Sequence, residues 1–129
     1  MPAKAQPPAE FELQILGVLW EHGPMTVRGV RERLTDGRER AYTSVLSVMQ
    51  VMKKKGLLRT SRKKEGLAHI FEPKVERGDV VQPMFQGLVD RVFGGRATDA
   101  VQQLLSGADV QAEDLNQIRQ FLDEMEGKQ

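Results

Sequence analysis

Residues 41–56 read Ala-Tyr-Thr-Ser-Val-Leu-Ser-Val-Met-Gln-Val-Met-Lys-Lys-Lys-Gly. The stretch suits a helix from about Ala41 to Lys55, stopped at Gly56. At about 100° per residue, Val45, Val48, Met49 and Met52 fall on one side, the side a core would take. The opposite side carries Thr43, Ser47, Gln50 and Lys54 at spacing i, i+4, i+7, i+11. Ser44 flanks this row, and Arg40 precedes the helix on the same bearing. An ordinary solvated face of this length usually carries some Glu or Asp, yet there is none from Arg40 to Lys55. Small hydroxyls and an amide let a helix approach a DNA major groove closely. Gln50 suits an adenine edge, and the Ser and Thr hydroxyls suit bases or phosphates. Arg40, Lys53 and Lys54 suit phosphates at the helix ends. Tyr42 has two roles open to it, packing beneath the helix or giving its hydroxyl to a phosphate.

Toward the N-terminus, Glu10–Glu21 predicts a largely buried helix, with Phe11, Ile15, Val18 and Leu19 on one face and Leu13, Leu16 and Trp20 widening it. His22-Gly23-Pro24 ends it. Met25 can pair as a very short strand, and Thr26 is the N-cap of a second helix whose Val27, Val30 and Leu34 share a side. Thr35-Asp36-Gly37 is its stop. Toward the C-terminus, Leu57–Arg62 and Leu67–Glu72 predict a hairpin around the polar loop Lys63-Lys64-Glu65-Gly66. The hairpin adds Arg62, Lys63 and Lys64 as candidates for a phosphate backbone or minor groove. Helix, turn, helix, helix, hairpin is the order of a winged helix-turn-helix.

Pro73-Lys74 marks the expected domain boundary. The predicted organisation is a disordered arm over 1–9, a winged-helix domain over 10–74 and a helical domain over 75–129. Three amphipathic stretches fill the last. Val81, Phe85, Leu88 and Val92 space one helix, closed by Gly94-Gly95; Ala97, Val101 and Leu104 space a second, closed by Gly107; Leu115, Ile118, Leu122 and Met125 space a third. Pro83 either opens the first of these or kinks it. The fold class is therefore mainly α with one small β-hairpin. About 55 residues make a marginal core, and three short helices cannot cover three apolar faces among themselves. A homodimer is expected, built on Phe85, Leu88, Val92, Leu115, Ile118, Leu122 and Met125.

Composition fits this reading. The chain has 129 residues, 40% hydrophobic and 29% charged, with a net charge of +1. Residues 1–74 hold 14 Lys/Arg against 8 Asp/Glu, a net +6; residues 75–129 hold 5 against 10, a net −5. A basic half joined to an acidic half suggests that one part meets a polyanion. The absence of cysteine excludes disulfides and thiolate metal sites. His22 and His69, the only histidines, fall in different elements without carboxylates at ligand spacing, so no metal, cofactor or catalytic site is expected. The sequence has no apolar run of membrane-span length, and Met1–Pro8 lacks the apolar core of a signal peptide, which suits a cytoplasmic protein.

Several segments in order resemble the penicillinase-repressor family, the BlaI/MecI group with its copper-responsive CopY relatives. They are Val18-Leu19-Trp20-Glu21-His22-Gly23-Pro24 with Thr26-Val27-Arg28, Ala41-Tyr42-Thr43-Ser44-Val45, Lys54-Lys55-Gly56-Leu57-Leu58, Glu65-Gly66 to Pro73, and Leu88-Val89-Asp90-Arg91-Val92-Phe93-Gly94-Gly95. The resemblance implies a homodimer whose winged-helix domains bind the two halves of an operator and whose C-terminal three-helix domain holds the dimer together. In the antibiotic branch it further implies a membrane sensor that triggers proteolysis of the repressor. That branch's cleaved Asn-Phe pair aligns with Gln103-Leu104 here, a departure that argues against the same cut, and the copper branch's C-terminal cysteines are absent, which rules out thiolate metal sensing. Where relatives commonly carry an aromatic pair in the second wing strand, this chain has His69 and Phe71.

The expected function is thus a dimeric, sequence-specific transcriptional repressor acting on double-stranded DNA at an inverted-repeat operator, with the inducing signal open. The alternative is a winged-helix protein-interaction module that does not read DNA.

Overall fold

The computed structural model describes residues 8–34, 37–107 and 109–127. Helix α1 (Glu10–His22) forms where the apolar spacing places it, burying Ile15, Leu16 and Leu19. At its start the Ala9 amide donates to Glu12 Oε1 at 2.9 Å, the glutamate half of a capping box. Helix α2 (Val27–Arg33) is capped by Thr26, whose Oγ1 accepts from the Gly29 amide at 3.2 Å. It ends where Leu34 turns extended; of the stop expected at Thr35-Asp36-Gly37, the first two residues lie outside the described residues.

Helix α3 (Tyr42–Lys54) buries Val45, Met49 and Met52 and packs the half-buried Val48 against them. Its end is a Schellman motif: the Leu57 amide bonds to the Met52 carbonyl at 2.9 Å and the Gly56 amide to the Lys53 carbonyl at 3.1 Å. Gly56 takes φ +84°, a conformation that a side chain would strain. This tight reversal sends the chain directly from α3 into the wing.

The wing is an antiparallel pair, β1 (Leu58–Glu65) and β2 (Ala68–Pro73). β1 runs three residues farther than the sequence suggests, β2 is displaced by one residue, and the expected four-residue loop is replaced by a two-residue turn, Gly66-Leu67. Glu65 pairs with Ala68, and Gly66 at φ +63° supplies the backbone that such a turn requires. The register shifts between Thr60 and Lys64. The irregularity sets Ser61, Arg62 and Lys63 against Ile70 alone, while Lys64 and Glu65, expected in the loop, pair with His69 and Ala68. Met25 joins as a single-residue third strand: its amide donates to the Phe71 carbonyl at 3.1 Å, and the Phe71 amide returns 2.8 Å to Met25.

One apolar core serves these elements, contributed by Ile15, Leu16 and Leu19 of α1, Val27 and Val30 of α2, Val45, Met49 and Met52 of α3, Leu58 of β1 and Phe71 of β2. Full burial of each large aliphatic or aromatic side chain contributes roughly 1.5–3 kcal/mol. Trp20 closes one side, its Nε1 donating to the Val75 carbonyl at 3.1 Å and so tying α1 to the chain just beyond the wing.

The remaining helices are α4 (Arg77–Val92), α5 (Ala97–Gly107) and α6 (Ala112–Gly127). Pro83 lies in the interior of α4 rather than in its opening turn. It removes one helical hydrogen bond, the one Asp79 would otherwise accept. The chain divides into two compact units, Met1–Met84 and Phe85–Gln129, so the division falls just after this proline. In the second unit no described residue is fully buried.

Candidate nucleic-acid interface

The side chains of α3 sort by bearing into two sets. Thr43, Ser44, Ser47, Gln50, Lys53 and Lys54 are all exposed, opposite the buried Val45, Met49 and Met52. Tyr42, at the first turn, is 44% exposed and is not part of the core cluster. The row spaced i, i+4, i+7, i+11 is therefore a continuous outward stripe of hydroxyls, an amide and an ammonium.

Arg40 does something the sequence does not show. Its guanidinium lies 3.8 Å over the centre of the Phe11 ring, and its carbonyl accepts a 2.6 Å hydrogen bond from Arg31 Nε. The cation–π contact holds the arginine half-buried at the foot of α3, with its position fixed by α1.

The other cations of the first unit divide by partner. Lys55 Nζ sits 2.9 and 3.0 Å from the two carboxylate oxygens of the buried Glu12. Arg59 pairs with its cross-strand neighbour Glu72 at 2.9 Å, and Arg28 with Glu32 at 3.6 Å. By contrast Lys53 and Lys54 on α3, and Arg62, Lys63 and Lys64 on β1, are exposed and have no ion pair among the described residues. Their charge is available to a ligand. All five lie on α3 or on the strand that leaves it through the Gly56 reversal. The wing positions coincide with the register shift, where the Lys63 amide bonds to Ser61 Oγ at 3.1 Å instead of entering the ladder.

Two apolar residues at this surface escape a reading based on polar spacing. Val51 is 47% exposed beside the α3 stripe, and Leu67 is 97% exposed at the apex of the wing. Leu67 was hidden because its strand assignment put it in the ladder. Val51 carries no polar signal, and its exposure is set by tertiary packing.

Among the described residues, no three His, Cys, Asp or Glu side chains converge as a metal-binding group, and no helix is long and apolar enough to cross a membrane.

A trihelical core with a hairpin wing, an acid-free outward stripe on its third helix and unpaired cations on the wing defines the winged helix-turn-helix class. The chain belongs to the penicillinase-repressor family, whose model matches residues 8–124. It is 36% identical over 73 residues to the transcriptional regulator BlaI of two Mycobacterium tuberculosis strains, CDC 1551 and H37Rv, a match covering 56% of this chain. The chain spans about half the length of these curated relatives, 51%. A solution structure of Bacillus licheniformis BlaI, described as its monomeric form in complex with the blaP half-operator, shares 22% identity with a TM-score of 0.47; the match covers 59% of this chain and 90% of that one. A MarR family protein from Bacillus stearothermophilus shares 20% identity with a TM-score of 0.49, covering 95% of this chain and 76% of that one.

Proposed function

We propose that this protein is a transcriptional repressor that binds double-stranded operator DNA as a homodimer, each chain placing α3 in a major groove. The observation that carries the reading is the outward stripe Thr43-Ser47-Gln50-Lys54, free of carboxylates and backed by the unpaired cations of α3 and the wing. Base edges are read by the hydroxyls and the amide, while Arg40, Lys53, Lys54, Arg62, Lys63 and Lys64 hold the phosphates and Tyr42 gives its hydroxyl to one. Membership of the penicillinase-repressor family supports the same assignment.

Residues 10–74 act as the DNA-binding domain and residues 75–129 as the dimerisation domain. Support for the second role comes from the apolar surface of the C-terminal helices. Phe85, Leu88 and Val92 of α4 and Leu122 and Met125 of α6 are 46–64% exposed, while Leu115 and Ile118 are half-buried. Val101, Leu104 and Phe121 extend the same kind of surface beyond the expected set. A second copy covers it in an isologous contact, which makes the operator an inverted repeat. The protein works in the cytoplasm and catalyses no reaction. A regulatory protease or sensor is the input that family membership suggests, although Gln103-Leu104 stands where the antibiotic branch has its cleaved pair, and the inducing signal stays open.

Retention on heparin followed by gel shifts with the DNA flanking its own gene tests the reading. Binding displaced by unlabelled cognate duplex but not by random duplex supports it. A chain that ignores DNA yet captures a protein partner is an interaction module instead.

A further inference from the structure

Val51 lies outside the apolar core of the fold. Of the apolar aliphatic residues of α3, Val45, Met49 and Met52 are buried in the core, and Leu46 and Val48 pack against it. Val51 alone stays outside that cluster, 47% exposed. On a helical projection it falls about 20° from Ser44 and about 40° from Ser47, between the edge of the polar stripe and the serine that flanks it. Both neighbours are short and exposed, so nothing on the helix stands taller than the isopropyl group there. A β-branched side chain also has one strongly preferred rotamer in a helix, so it cannot fold away from what it meets.

The chemistry of the groove supplies a match. Among the base edges presented in a major groove, the thymine C5 methyl is the one apolar group. Cytosine offers an amino donor and no methyl, and an isopropyl group would leave that donor unpaired. We infer that Val51 reads one thymine in each half-site through its C5 methyl. The inference rests on the proposed function and adds to it the base at one operator position.

The test uses the full-length protein and a duplex it selects from a random-sequence pool. Each thymine is replaced in turn by deoxyuridine, which removes the methyl and leaves every hydrogen-bonding edge intact. One thymine per half-site should respond, with uracil weakening binding about fourfold, the effect of one buried methyl group. Val51→Ala should weaken binding to the thymine duplex similarly and abolish the thymine–uracil difference at that position. Alanine is the better helix former, so this variant retains the fold, and an unchanged thermal melt verifies that. If uracil costs the wild type and Val51→Ala the same at every position, Val51 does not read a methyl and the inference is overturned. A Val51→Ala variant that melts much lower overturns it too, since the side chain would then be a packing residue. If the protein enriches no duplex over random DNA, the functional reading itself fails, and this inference falls with it.

Discussion

Glu12 and Lys55 form an ion pair at 2.9 Å between the first turn of α1 and the C-cap of α3. The Glu12 side chain is 6% exposed and the Lys55 side chain 53%, so one partner is buried while the other reaches it from water. Glu12 also accepts the Ala9 amide, which leaves its carboxylate satisfied on both oxygens. The pair fixes the end of α3 against α1. It also removes Lys55 from the cations that face a ligand, although it adjoins Lys53 and Lys54 in sequence.

Removing Lys55 while keeping Glu12 leaves a buried carboxylate without its counter-charge. Lys55→Met should therefore lower unfolding stability by about 1–3 kcal/mol in chemical denaturation. The salt dependence of DNA binding should not change, whereas Lys54→Met should leave stability within about 0.5 kcal/mol and make the salt slope shallower. A reversed pattern would move Lys55 to the DNA face.

Affinity should fall steeply with salt. Lys53, Lys54, Arg62, Lys63 and Lys64 have no ion pair among the described residues, and a dimer presents two sets. Contacts with several phosphates per chain imply a log–log slope on the order of −5 to −10, each neutralised phosphate contributing about −0.9. Titrations across a range of potassium chloride measure it, and a flat response contradicts the phosphate assignment.

Most of the fold is legible in the sequence because its determinants are local. The 3.6-residue spacing of Ile15, Leu19, Val45, Met49 and Met52, the Thr26 cap and the Gly56 stop each act within a turn or two. The wing was located correctly, but its turn was not, because a register shift depends on pairing across strands and leaves only weakened alternation behind. The outward stripe of α3 was readable for the same periodic reason as the core. What the sequence does not show is which cations also make contacts inside the fold. Arg40 meets the Phe11 ring and Lys55 meets Glu12 through contacts that span 29 and 43 positions in the chain. Such contacts are set by tertiary packing, as is the exposure of Val51.

Dimerisation should depend on residues that are exposed in one chain. Leu122 is 50% exposed, so an aspartate there stays hydrated in the monomer but would be desolvated in an apolar seam. Leu122→Asp should sediment as a folded monomer, with helical circular dichroism retained and operator affinity reduced. A wild-type chain that sediments as a stable monomer at micromolar concentration contradicts the dimer.

Base reading and backbone contact should separate by substitution. Gln50→Ala should cost about 1–3 kcal/mol on the cognate duplex and relax preference at one base pair per half-site. Lys63→Ala should weaken cognate and random DNA about equally, because a phosphate contact adds affinity without discrimination. Competition assays on single-base variants distinguish them. Full preference in Gln50→Ala together with lost preference in Lys63→Ala would make the wing the reader.

The most direct test of the central claim is repeated selection of duplexes from a random-sequence pool by the intact protein, followed by sequencing and a count of chains bound per selected duplex. An inverted repeat that binds two chains, its half-sites spaced so that two copies of α3 enter successive major grooves, is the predicted result. A pool that gains no common sequence after repeated rounds, or that converges on an asymmetric site holding a single chain, would contradict it.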